Sequence, residues 1–83
     1  MESVPNDFIC PLTKLIFKDP VIADDEVCYE RSAIIDYLNN HKNYSPIIKK
    51  IIEPKTYRIP IVRKMIDEYL IDNPQYKIYQ FSN

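Results

Sequence analysis

The spacing of apolar residues changes several times along the chain, and each change marks an element. Between residues 8 and 17 they come in short clusters. Pro11 and Pro20 forbid a helix across this stretch, leaving 12–17 room for only a turn or a short strand. Val21-Ile22-Ala23 and Val27-Cys28-Tyr29 are β-prone and flank Asp24-Asp25-Glu26, which predicts a β-hairpin with an acidic turn. Ala33, Ile34, Tyr37 and Leu38 then recur at helical spacing, predicting a helix from Glu30 or Arg31 to Asn39, with Asn39-Asn40 as terminator. Regular spacing is lost over 41–58, which reads as a polar loop with a second short extended stretch at 47–53, punctuated by Pro46 and Pro54. Pro60 suits the first position of a helix. Ile61, Val62, Met65, Ile66, Tyr69 and Leu70 carry that helix to about Asp72, ahead of Asn73-Pro74. The aromatic tail beyond is compatible with a docked strand or a frayed end. The resulting division is a lead-in over 1–7, one α+β domain over 8–72 and a tail over 73–83.

Composition narrows the chemistry. A chain of 83 residues with 11 Lys+Arg against 12 Asp+Glu has a formal charge of -1, which offers no basic field for nucleic acid. With Gly 0, no glycine-rich phosphate loop or dinucleotide fingerprint exists, and left-handed backbone positions are expected to fall on Asn or Asp. With Cys 2 and His 1 the chain falls short of a four-ligand structural zinc site of the usual kind, and further short of two. A loop-rich domain this small usually leans on a metal or disulfides. Buried polar networks are therefore expected to hold these loops, and no cofactor is expected. No leader pattern and no apolar run of about 18 residues is visible. That predicts no membrane contact and an intracellular, reducing compartment with Cys10 and Cys28 free as small buried hydrophobes. His41 reads as a plain exposed residue, while Asp19, Glu30 and Arg31 read as loop braces.

Two segments share one outline: Cys10-Pro11-Leu12-Thr13 and Ser45-Pro46-Ile47-Ile48. In zinc-binding domains such loops run Cys-Pro-x-Cys and present two thiolates to one metal. Here three of the four ligand positions are Thr, Ser and Ile. Around these segments lie Phe8, Asp19-Pro20-Val21, Tyr29-x-Arg31, Tyr37-Leu38 and the Ile59-Pro60 that opens the last helix. Taken together, over about residues 4–71, the pattern resembles the U-box family, the metal-free relative of the RING finger.

That resemblance implies a small cross-brace fold: a β-hairpin, a central helix, two long loops and a C-terminal helix, without metal. It also implies a ubiquitin-ligase module, which binds a conjugating enzyme carrying thioester-linked ubiquitin and promotes transfer to a substrate lysine without a covalent intermediate on the ligase. By position, Leu12, Lys14, Tyr37 and Pro46 fall at the conjugating-enzyme surface. Lys49 falls where a cation clamps the conjugating enzyme and ubiquitin together, and Ser45 joins Asp19, Glu30 and Arg31 as bracing. The substrate is not implied. Departures from the family pattern are Lys14 at an often apolar position, Ile48 for a bracing Thr, Ile61 for a bracing Asn, and the glycine-free hairpin. Apolar packing by Ile48 and Ile61 is the expected substitute for the two lost braces. An alternative class is a degenerate U-box kept for protein interaction or homodimerisation, aided by the aromatic tail (Tyr76, Ile78, Tyr79, Phe81).

Overall fold

The computed structural model describes residues 4–82. The element order is a 3-10 turn at Asn6–Phe8, strands β1 (Pro20–Ala23) and β2 (Cys28–Glu30), and helix α1 (Arg31–Asn40). Strand β3 (Thr56–Arg58), helix α2 (Pro60–Asp72) and a 3-10 helix at Pro74–Tyr79 complete it. Both α-helices begin and end within about a residue of where the apolar spacing places them.

The three strands form an antiparallel sheet in the order β2-β1-β3. Pro20 opens the central strand, a position that tolerates its missing N–H. Alternation along β1 buries Val21 and Ala23 and turns Ile22 outward. The hairpin is a three-residue loop. The Glu26 N–H donates to the Ala23 carbonyl at 3.0 Å, and Glu26 then takes a left-handed φ of 65°. A turn followed by one left-handed residue is a common way to join strands with a three-residue loop.

Three expectations are corrected. The extended stretch at 47–53 is a turn over 46–48 with a single bridge between Tyr44 and Ile51, and the additional strand lies further on, at Thr56–Arg58. Pairing with the open edge of β1 decides its place, and that partner is remote in sequence. Among the described residues, left-handed φ values occur at Lys14, Glu26, Lys42, Asn43 and Lys49, so only one of these five falls on Asn or Asp. The aspartates of the hairpin serve as acceptors: Asp25 Oδ1 takes the Val27 N–H and Asp24 Oδ2 takes the Glu53 N–H. Finally, Ile48 (42% exposed) and Ile61 (68%) do not pack inside, so apolar burial does not replace the lost braces.

The core is a single cluster that includes Phe8, Cys10, Ile16, Phe17, Val21, Tyr29, Ile34, Leu38, Ile66 and Leu70. Val4, which the sequence division puts in the lead-in, is also buried there. The tail is docked. The Ile16 N–H donates to the Tyr79 carbonyl, the Phe81 N–H donates to the Ile16 carbonyl, and Gln80 Nε2 donates to the Phe17 carbonyl. A run of rings, Phe8–Tyr69–Tyr76–Tyr79, ties the tail to α2 and the N-terminal turn, with centroid spacings of 5.4, 6.4 and 6.5 Å. Tyr76 thus packs against the core, while Ile78 stays exposed. No helix among the described residues is long and apolar enough to cross a membrane.

Candidate functional site

The two proline-containing loops have the same backbone, bond for bond. In the first, the Cys10 N–H donates to the Leu15 carbonyl and the Lys14 N–H to the Cys10 carbonyl, both at 2.9 Å. In the second, the Ser45 N–H donates to the Lys50 carbonyl at 2.7 Å and the Lys49 N–H to the Ser45 carbonyl at 3.2 Å. Inside each loop the first side chain accepts two amides. Cys10 Sγ takes the Leu12 and Thr13 N–H groups at 3.4 and 3.5 Å, and Ser45 Oγ takes those of Ile47 and Ile48 at 3.2 and 3.1 Å. Each loop closes on a lysine in the left-handed region, Lys14 at φ 62° and Lys49 at φ 59°. For a side chain with a Cβ that conformation costs roughly 1–2 kcal/mol.

Opposite ends of β2 anchor the loops. At the hairpin end, the buried Asp25 accepts the Tyr29 hydroxyl at 2.6 Å and the Ser45 hydroxyl at 2.7 Å through Oδ2. At the other end, the Glu30 N–H donates to Cys10 Sγ, while the Glu30 carboxylate receives the Lys18 and Asp19 N–H groups at 2.8 Å each. Glu30 is 2% exposed, yet both oxygens have partners, and no buried side-chain polar atom among the described residues lacks one. The expected buried networks are therefore present, and they fix where each loop sits. Asp19 also accepts Arg58 Nε at 3.4 Å on the surface. Arg31 is exposed and enters through its backbone, its N–H donating to the Asp19 carbonyl.

These anchors set out an apolar surface. Leu12 is half-buried against the core, Pro46 is half-buried, and Ile47 and Ile48 stand exposed at the second loop. On α1, Tyr37 is half-buried and stacks on His41 with ring centroids 3.8 Å apart and an interplanar angle of 8°. His41 Nδ1 lies 2.8 Å from the Tyr37 carbonyl oxygen. A carbonyl only accepts, so Nδ1 carries the proton. Lys14 and Lys49 flank the loops and are exposed. Sequence reasoning missed Asp25 and Tyr29 as the brace of the second loop, the acceptor role of Cys10, and the pairing of His41 with Tyr37. Only the matched outline of the two loops hinted at the second of these.

No group of three or more His, Cys, Asp or Glu among the described residues is arranged to hold a metal ion. Cys10 Sγ, which a zinc domain would turn toward the metal, is enclosed by three amide N–H groups. Both cysteines are free thiols. Burial, then the neighbouring Cys10, then Glu30 push the Cys28 thiol up to about 11, so it is a poor nucleophile at neutral pH.

A family model described as the U-box domain matches residues 4–75. Among similar proteins, the WD repeat, SAM and U-box domain-containing protein 1 of Gallus gallus is 42% identical over 45 residues, covering 54% of this chain and 10% of that protein. The E3 ubiquitin-protein ligase CHIP of Arabidopsis thaliana is 41% identical over 51 residues, covering 61% of this chain and 18% of that protein. The putative E3 ubiquitin-protein ligase LIN of Medicago truncatula is 34% identical over 83 residues, covering 95% of this chain and 5% of its own length. The chain thus spans less than a fifth of the length of each of these relatives.

Proposed function

The chain belongs to the U-box family, and on that premise we propose that it works as an intracellular ubiquitin-ligase module, docking a ubiquitin-conjugating enzyme and promoting transfer of ubiquitin from its thioester. The observation that carries this reading is the pair of matched loops. Part-buried bonds from the Leu12, Ile47 and Ile48 amides to Cys10 and Ser45, whose own bonds to Glu30 and Asp25 are buried, hold Leu12 on one side and the Pro46-Ile47-Ile48 turn on the other, so an apolar surface is ready before any partner arrives. Tyr37 on α1 contributes to the same docking surface. Lys49 supplies a cation at the rim of the second loop, where it bonds both the conjugating enzyme and its ubiquitin. Holding a thioester already activated in an attack-ready orientation is an entropic contribution and needs no general base from this chain. A lysine lacks the planar fork of arginine, so the clamp is weaker than an arginine would make it.

The test is discharge of a ubiquitin-charged conjugating enzyme onto free lysine. The chain should accelerate it, and Leu12→Ala should abolish the acceleration while the thermal transition persists. Lys49→Asn should slow discharge at saturating conjugating enzyme with little change in binding. Absence of acceleration across a panel of conjugating enzymes overturns the proposal.

A second reading, homodimerisation through α2, is favoured by one observation. Ile61 (68% exposed) and Met65 (50%), one turn apart on α2, form a short outward apolar stripe. Sedimentation of Ile61→Asp and Met65→Asp variants against the parent chain tests it.

A further inference from the structure

The charge of the chain is unevenly distributed, and the loops take one side of it. Segments 8–18 and 41–52, which contain both proline loops, carry Lys14, Lys18, Lys42, Lys49 and Lys50 and no Asp or Glu. The remainder then holds six Lys and Arg against all twelve Asp and Glu, a formal charge of -6 in a molecule of -1. All five loop lysines are exposed, and among the described residues none has a carboxylate partner. Three of the neighbouring acids are committed elsewhere, with Asp25 and Glu30 buried in the braces and Asp19 on Arg58, while Asp7 and Glu53 lie exposed at the sequence borders of the two segments. The exposed face of α1 offers one carboxylate, Asp36.

Backbone conformation points the same way. Three of these lysines, Lys14, Lys42 and Lys49, occupy left-handed positions that Asn fills with less strain, as Asn43 does beside them. The chain has Asn to spare and uses Lys. What lysine adds there is charge.

We propose that the docking surface selects conjugating enzymes whose facing loops carry Asp and Glu, and that Lys14 sets this preference. The inference rests on the ligase reading above and names the class of conjugating enzyme it admits. Lys14 is the informative position because it is the counterpart of Lys49 on the first loop, where it borders Leu12 and takes no part in the thioester clamp. Charges at an interface rim act chiefly on association rate and on rejection of like-charged partners. An exposed cation two residues from Leu12, with no carboxylate partner among the described residues, opposes a conjugating enzyme with basic contact loops and attracts an acidic one.

The experiment compares two conjugating enzymes that differ in the net charge of their contacting loops, with dissociation constants measured between about 50 and about 300 mM salt. The anionic enzyme should bind tighter and lose affinity severalfold as salt rises. Lys14→Asn keeps the left-handed turn and removes the charge, so binding should weaken roughly two- to fivefold with the thermal transition unchanged or raised. Lys14→Glu should weaken the anionic enzyme further and narrow or invert the ranking. If both variants bind like the parent, or binding is indifferent to salt, this inference falls and the ligase reading stands. If neither enzyme binds at any salt, the ligase reading falls and takes the inference with it. Retention on double-stranded DNA that is lost in Lys14→Glu, with no ranking between the enzymes, would overturn it in favour of another polyanion.

Discussion

The first and second proline loops share a backbone and differ in what holds them. The first is held several times over. Cys10 Sγ accepts three amides, one of them from Glu30, and the docked tail pairs with Ile16 at the loop's base. The second depends for its buried pin on one hydroxyl, Ser45, which hangs from one carboxylate, Asp25, with support at its base from the Ile52 N–H to Asn43 carbonyl bond and the exposed Glu53 N–H to Asp24 bond. In both, a first-position acceptor gathers two amide N–H groups, and a left-handed fifth residue closes the turn. The shape that metal-binding relatives use to present thiolates therefore persists on hydrogen bonds alone, provided the acceptor is itself pinned. Where the pin is single, the loop should be the more fragile of the two.

The sharpest way to break the comparison is Asp25→Ala. It strands the Tyr29 and Ser45 hydroxyls and removes the Val27 turn bond, each worth roughly 1–2 kcal/mol, for a loss of about 3–5 kcal/mol in urea unfolding. Amide exchange should rise first at Ile47 and Ile48, while Leu12 and Thr13 keep their protection. Equal loss of protection in both loops would show that they are not separately anchored.

Exchanging the acceptors is the next step down. Ser45→Cys puts a weak donor opposite Asp25 and should cost about 2 kcal/mol, with the second loop loosened. Cys10→Ser keeps an acceptor but withdraws it from amides already 3.4 and 3.5 Å from the sulfur, and the Glu30 amide and docked tail remain, so about 1 kcal/mol is expected. A larger loss for Cys10→Ser than for Ser45→Cys would reverse the ranking of the two anchors.

The same contrast separates what the sequence reveals from what it withholds. The helices are legible because α2 repeats Val62, Ile66, Tyr69 and Leu70 at a spacing that only a helix puts on one face. The two loops are legible as a matched pair through their prolines and first residues. β3 is not, since Thr56-Tyr57-Arg58 has little pattern of its own and becomes a strand by meeting β1 across more than thirty residues of chain. Nor is the role of Asp25 legible. One of three successive acids in a turn looks like solvated charge until Tyr29 and Ser45 are brought to it from four and twenty residues away. Ile48 and Ile61 mislead in the opposite direction, because apolar character suggests burial while the fold leaves both in water.

Alkaline pH gives the gentlest test, because it acts on the strand that anchors both loops. Burial, followed by Cys10 and Glu30, raises the Cys28 thiol from 9.0 to about 11, and burial with the Asp25 hydrogen bond raises the Tyr29 phenol above its usual range. A folded-state pKa above the unfolded one means that the unfolded chain releases its proton first. Stability should therefore stay level through neutral pH and fall as pH rises from 9.0 toward about 11 through Cys28, with Tyr29 extending the fall beyond. Cys28→Ser should flatten the first part of that slope and leave the second. Ionised Tyr29 would sit beside Asp25, so the second loop should loosen before the first as the pH climbs, visible as earlier line broadening at Ile47 and Ile48 than at Leu12 and Thr13. Simultaneous broadening of both loops would mean that β2 fails as one unit, and that the two anchors are coupled through it.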